Sequence, residues 1–340
     1  MPWASLLNRF AVGSNVRNRR GVTLIELLVV VGLMMILMAA AVPRVRTSID
    51  ARRAREAARA INVYLGAARN SAVATGRSCG VRIDRLPAAT GCSMNLSQVA
   101  VPPPYGGDTT TAMATVTGPT GTISATDTGS YTVAFPAGMN TNLVHAGDLI
   151  QFNYEGPLYQ IQSLSATSAA VTLLEAAPVG GQPVAYQGQL APWTNTTSQP
   201  MPFTILRQPV KSGATPLQLG NAAVVDLQFS GIGITDYRWK SQSNSLMILF
   251  SANGGIDRIW DDNGQYCATD TVYLLVGKRE KVGQAGATSN LADLTNQWIA
   301  VNPQTGIVTT AEVAASASSA APTVTEARVF AGQGQNMGGR

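Results

Sequence analysis

From Val22 to Val42 the chain carries 21 residues with one charge, Glu26. As a helix this run is about 30 Å long, the thickness of a bilayer's hydrocarbon core. Arg19, Arg20 and Gly21 stand immediately before it, with Arg9 and Arg17 further upstream. Positive charge on that flank predicts that the N-terminal side stays in the cytoplasm. An unpaired carboxylate near the start of an apolar helix is costly unless something satisfies it. Two readings stand at this point. Glu26 sits at an interface, stabilised by the helix N-terminus, or it awaits a partner charge from another subunit.

The residues Gly21-Val22-Thr23-Leu24-Ile25-Glu26, followed by the long apolar run, resemble the class III signal of type IV prepilins and type II secretion pseudopilins. The resemblance implies that a prepilin peptidase cuts between Gly21 and Val22 and that Val22 is then N-methylated. It also implies that Glu26 docks with the terminal amine of a neighbouring subunit in a filament. The usual first residue of the mature family is Phe, so Val22 is a departure. The rival for processing is an ordinary signal peptide, cut after its apolar core near Ala39-Ala40-Ala41. Residues 1–21 are read as a removed leader and residues 22–43 as a transmembrane or filament-core helix. Pro43 is expected to kink that helix and free a carbonyl.

Charge is divided along the chain. Residues 1–85 hold 14 of the 24 basic side chains and four of the 19 acids, which leaves 10 against 15 and a net of −5 over residues 86–340. The basic stretch suits anionic lipid head groups or acidic neighbours. Nucleic acid is not expected as a partner, because binding it wants a basic face on the head.

Past Pro43 the helical pattern continues. Ile61, Leu65, Ala68 and Ala72 line one face, with Arg52, Arg53, Arg55, Arg59 and Arg69 largely elsewhere, and Thr75-Gly76 supplies a stop. The arginine run reads equally as a solvated face or as a surface for acidic heads of neighbours. The segments Arg55-Glu56-Ala57-Ala58-Arg59 and Ala67-Ala68-Arg69-Asn70-Ser71-Ala72, with Thr75-Gly76-Arg77, resemble the GspH/FimT branch of minor pilins and pseudopilins. In that branch the helix leads straight into a strand, and here Cys79 to Asp84 alternates as a half-buried strand does. Residues 44–99 are therefore read as the amphipathic helix and first strands of a head.

Residues 100–190 read as an inserted β-rich module. It opens on Pro102-Pro103-Pro104, and Tyr131–Phe135, Asp148–Tyr154, Leu158–Leu164 and Ala170–Leu174 are its strands. The head sheet is expected to resume over residues 191–313, with strands at Phe203–Arg207, Ala223–Phe229, Leu246–Phe250, Asp257–Trp260 and Thr271–Val276. The turn Phe250 to Gly255 and the hairpin around Asn302-Pro303-Gln304-Thr305-Gly306 resemble those of the same branch. Residues 314–340, small and glycine-rich, read as a flexible tail.

Candidate chemistry is sparse. Asp257, Asp261 and Asp262, with Asn263 and Gly264, are a calcium candidate weighed against a solvated turn. Their spacing does not fit an EF-hand. The single histidine, His145, falls in a turn and cannot alone build a metal site. Cys79 and Cys92 flank a hairpin and either form a disulfide or remain small buried side chains; Cys267 is left over. There is no P-loop, HExxH or GxSxG motif, so neither enzyme activity nor a cofactor is expected. The fold class that follows is α+β: a long N-terminal helix, membrane half then amphipathic half, packed on an antiparallel sheet with an inserted all-β module. Expected partners are the prepilin peptidase, other pilins or pseudopilins, an inner-membrane assembly platform and the bilayer. Expected localisation is single-pass in the bacterial cytoplasmic membrane, head outside, then in an extracytoplasmic filament. The alternative is an anchored or exported β-rich binding module for a secretion substrate, a surface or DNA.

Overall fold

The structure is a computed structural model. It describes residues 23–118, 130–173, 197–220, 222–235, 239–262, 264–315 and 322–337, except the side chains of 40–48, 130 and 334–337. Two units are resolved, one ending at Asp50 and one beginning at Ala51.

Helix α1 (Leu24–Thr75) is 52 residues long. Thr23 stands at its N-cap, its Oγ1 accepting from the Glu26 N–H at 3.3 Å, and Gly76, with φ of 66°, follows its last residue. Helical backbone continues through Pro43. In the unit from Ala51 onward, Ala57, Ala58, Ile61, Leu65, Ala68 and Ala72 are buried. Four of these six are alanines, which let the helix lie close to the sheet beneath it.

That sheet is antiparallel and has eleven strands among the described residues. In chain order its strands are β1 (Cys79–Leu86), β2 (Ala89–Ala100), β9 (Val210–Lys211), β10 (Leu217–Gln218), β11 (Ala223–Ile232), β12 (Leu246–Phe250), β13 (Ile256–Asp261), β14 (Gly264–Tyr266), β15 (Val272–Lys278), β16 (Gln297–Val301) and β17 (Val308–Glu312). The spatial order is β14-β13-β12-β1-β2-β11-β15-β16-β17, with β9 and β10 also on β2. Alternation along β15 and β16 assigns the two faces. Val272, Leu274, Val276, Ile299 and Val301 share a core with α1, while Tyr273, Leu275, Trp298 and Ala300 share another with Val324, Ala327 and Ala331. Those last three belong to helix α2 (Val324–Met337). The α+β class is as expected, but the tail expected to be flexible instead provides this second helix.

The reason lies in two details. Thr323 and Glu326 form a reciprocal capping box: Thr323 N–H donates to Glu326 Oε2 at 3.0 Å and Glu326 N–H to Thr323 Oγ1 at 3.2 Å. Arg328 is fully buried, donating to the carbonyls of Gly233 and Phe229 at 2.8 Å each. Its guanidinium also lies 5.7 Å from the Tyr273 ring centroid and 5.9 Å from that of Trp298, within cation–π range.

The second sheet has six strands, ordered β3-β4-β7-β6-β5-β8. They are β3 (Thr115–Thr117), β4 (Ser130–Ala134), β5 (Leu149–Phe152), β6 (Tyr159–Leu164), β7 (Ser168–Leu173) and β8 (Phe203–Leu206). Its own core contains Tyr131, Phe135, Phe152, Tyr159 and Phe203. Strand β8, expected to restart the head sheet, belongs here: it pairs with β5 in register Leu149↔Leu206 to Phe152↔Phe203. Buried Asp148 holds this closure, accepting from the backbone N–H of His145 at 2.8 Å and of Gln208 at 2.9 Å.

Candidate functional site

The sequence directs attention first to the start of α1. Gly21 and Val22 lie outside the described residues. Glu26 is the third residue of the helix, exposed, in the first turn where a negative charge is favourable. Its carboxylate has no partner among the described residues. Behind it every large apolar side chain from Leu24 to Met38 is exposed, for example Leu24 at 82%, Ile25 at 71% and Leu37 at 68%. Leaving a dozen such side chains in water forfeits of order 10–20 kcal/mol of burial. Among the described residues no helix is long and apolar enough to cross a membrane. The side chains of 40–48, which include the end of the apolar run, are not among those described.

The arginine run divides. Arg69, expected on a solvated face or against acidic heads of neighbours, instead ties together the two hairpin turns: its Nε donates to Gly254 O and to Thr305 O, each at 3.0 Å. Gly306 must be glycine there, with φ of 62° and no room for a Cβ against the Gly254 carbonyl. Arg55 reaches Glu312 at 3.4 Å with both side chains largely exposed, an ion pair of little energetic weight. Arg52, Arg55 and Arg59 line a groove of about 800 Å³ against Gln297, Thr310 and Glu312.

The candidate disulfide is not formed. Cys79 and Cys92 are both free and buried. The β1–β2 register pairs Cys79 with Ala100 and Arg85 with Ser93, placing the cysteines at opposite ends of the hairpin. Six residues of strand separate them by about 20 Å, against roughly 7 Å at most between bridged Cα atoms. Cys267 is exposed.

The calcium candidate is likewise dispersed. Asp257 accepts from the Ser78 hydroxyl at 2.5 Å and Asp261 from the Tyr266 hydroxyl at 2.8 Å. Asp262 accepts from the backbone N–H groups of Ser243 at 2.6 Å and Asn244 at 2.8 Å. Asp257 and Asp261 stand at opposite ends of β13, and Asn263 lies outside the described residues. No group of three or more His, Cys, Asp or Glu side chains among the described residues is placed to hold a metal ion. His145 is exposed.

The buried ionic chemistry that the sequence did not disclose is structural. Asp226 is fully buried beside Asn290, whose Nδ2 donates to it at 2.7 Å. Burial pushes its carboxyl up to about 6, against the hydrogen bonds from Asn290, Gln228 and Phe229. Asp293 goes the other way despite partial burial: hydrogen bonds from Thr295, Lys281 and Lys278 hold it well below the usual carboxylate range. Arg328 belongs with these: the Thr323-x-x-Glu326 pattern ahead of it marks a helix start, but only the tertiary packing buries the arginine.

A family model of the prokaryotic N-terminal methylation motif matches residues 16–42. No curated protein and no solved structure matches the chain. The matched stretch contains the Gly21–Val22 bond, Glu26 and the apolar run, and it supports a type IV pilin-like precursor. The motif implies processing by a prepilin peptidase, methylation and assembly with other pilins, starting from an inner-membrane-anchored precursor. Its family is structural rather than enzymatic.

Proposed function

We propose that this chain is a minor pilin or pseudopilin of the GspH/FimT-like branch, a structural subunit of a type IV pilus or a type II secretion pseudopilus. The peptidase cuts after Gly21, Val22 becomes the methylated terminus, and the apolar segment first sits in the cytoplasmic membrane. Assembly then moves that segment from lipid into a core made of the same segment from neighbouring subunits. Both surroundings are apolar, so the transfer needs no exposure of Leu24 to Met38 to water. In such a core an unpaired carboxylate or ammonium is costly. Only the register that brings Glu26 to the amine of Val22 of a neighbour satisfies both.

The observation that carries this reading is the first turn of α1: an acid with an unengaged carboxylate heading an uncovered apolar surface. The methylation motif over the same residues supports it. The head's size, with two sheets, suits a minor component better than a repeating one. The test is recovery of Glu26→Val in sheared filaments. Processing of that variant is expected to be normal and its incorporation to fall at least tenfold. Incorporation at the native level removes Glu26 from the mechanism.

A further inference from the structure

The two sheets do not meet flush. On β12 and β13, the residues facing away from α1 are Met247, Leu249, Arg258 and Trp260, with Leu249 paired to Arg258. On the second sheet the Leu149–Leu206 pair faces away from its own core. Between these two pairs lies a cavity of about 220 Å³, which also takes in Trp260, Asp257 and Ser78. A second cavity of about 370 Å³ adjoins it, walled by Pro102 to Pro104 and Arg77. Both are lined by Ser78, Val101, Leu206 and Arg207, so they form one cleft at the junction of two β-modules, a common place for a ligand site.

The cleft is rich in unused cationic donors. Arg207 spends its Nε on Pro103 O at 3.0 Å, and Arg258 spends Nη1 on Gln265 Oε1 at 2.9 Å. The other terminal nitrogens of both, and all of Arg77, have no partner among the described residues. One carboxylate opposes three guanidiniums, Asp257, and it is already held by the Ser78 hydroxyl. Leu149, Leu206, Leu249, Trp260 and Pro102 to Pro104 give the rest of the wall an apolar part beside the polar Ser78 and Gln265, and the indole N–H of Trp260 is buried without a partner among the described residues. Guanidiniums that approach from three elements suit a carboxylate, which takes paired N–H donors. Apolar side chains and an indole beside them suit the C–H face of a pyranose ring.

We infer that this cleft binds an acidic saccharide, its carboxylate held by Arg207 and Arg258 with Arg77 at the mouth, and its ring against Trp260 and Leu206. The inference is independent of filament assembly, since none of these residues lies in the N-terminal segment.

The test is calorimetric titration of the full chain in detergent with tri-galacturonate, alongside neutral maltotriose and tri-glutamate. Tri-galacturonate is expected to bind saturably and the other two at least tenfold more weakly. Arg207→Gln and Arg258→Gln should each weaken binding about tenfold, the loss of one charge-assisted hydrogen bond. Arg77→Gln, at an exposed position that leaves the fold intact, should weaken it severalfold. Lys240→Gln, an exposed cation outside the cleft, should change nothing. Absence of tri-galacturonate binding, equal binding of tri-glutamate, unchanged binding by Arg77→Gln, or an equal loss with Lys240→Gln each overturns the assignment.

Discussion

Helices α1 and α2 begin on the same four-residue pattern, Thr-x-x-Glu, and meet opposite fates. At α2 the box is closed in both directions, the Glu326 carboxylate being taken by the Thr323 N–H. The residues behind it are covered by the sheet: Val324, Ala327, Arg328 and Ala331 are all buried. At α1 the Glu26 N–H is capped by Thr23, the carboxylate is unengaged, and the residues behind it are exposed. A capping pattern starts a helix wherever it occurs. What the helix is for depends on what covers it. For α2 the cover is the sheet; for the first turns of α1 it is, on the proposal above, lipid or other subunits.

Gly21→Leu should abolish processing entirely while leaving the α2 end untouched, seen as retention of the leader in intact mass. Replacing each acid separates the two helices next. Glu26→Val should cost incorporation into filaments at least tenfold without lowering the melting temperature of the head. Glu326→Val should do the reverse, costing about 1 kcal/mol of stability. Arg328→Met removes a buried guanidinium and strands two carbonyls, so it should destabilise the head by about 3–5 kcal/mol in denaturant unfolding.

Smaller effects should come from the buried acids near α2. Asp226 has a folded pKa of about 6 against an ordinary value of 3.8. Its protonated form favours folding, so this contribution is full at low pH and is lost as pH rises from about 4 through 6. Asp293 is depressed by its hydrogen bonds, so its contribution is present above about pH 4 and lost as pH falls below that. In unfolding curves against pH, Asp226→Asn should flatten the decline between 4 and 6. Asp293→Asn should flatten the one below 4. An Asp226→Asn curve parallel to the parent would show that the buried carboxyl is not what titrates there.

Much of the head was legible because its strands alternate strongly. The expected strand Leu246–Phe250 coincides with β12, and those near Tyr131, Leu158 and Ala170 fall on β4, β6 and β7. The apolar face at Ile61, Leu65, Ala68 and Ala72 is buried as its helical spacing requires. Strand β8 was legible as a strand but not as to its sheet, since Phe203 to Leu206 alternates equally well in either. Helix α2 was missed because Gly332, Gly334 and Asn336 lower its intrinsic propensity. Tertiary burial of Arg328 overrides that deficit, and no local pattern announces a buried arginine. The cleft was invisible for a related reason. Arg77, Arg207 and Arg258 are spread over 181 positions of sequence and converge only when β5–β8 lies against β12–β13. At the other end, the Gly21-to-Glu26 pattern was readable without any structure, because the methylation motif over residues 16–42 is a linear pattern of residues.

On the proposal above, the apolar segment behind Glu26 belongs to a processed filament subunit. Intact-mass and N-terminal analysis of the protein purified from its own membranes tests this most directly. The expected chain begins at N-methyl-Val22. A chain that still begins at Met1, or one that begins near Val42 after an ordinary signal-peptide cut, would contradict it.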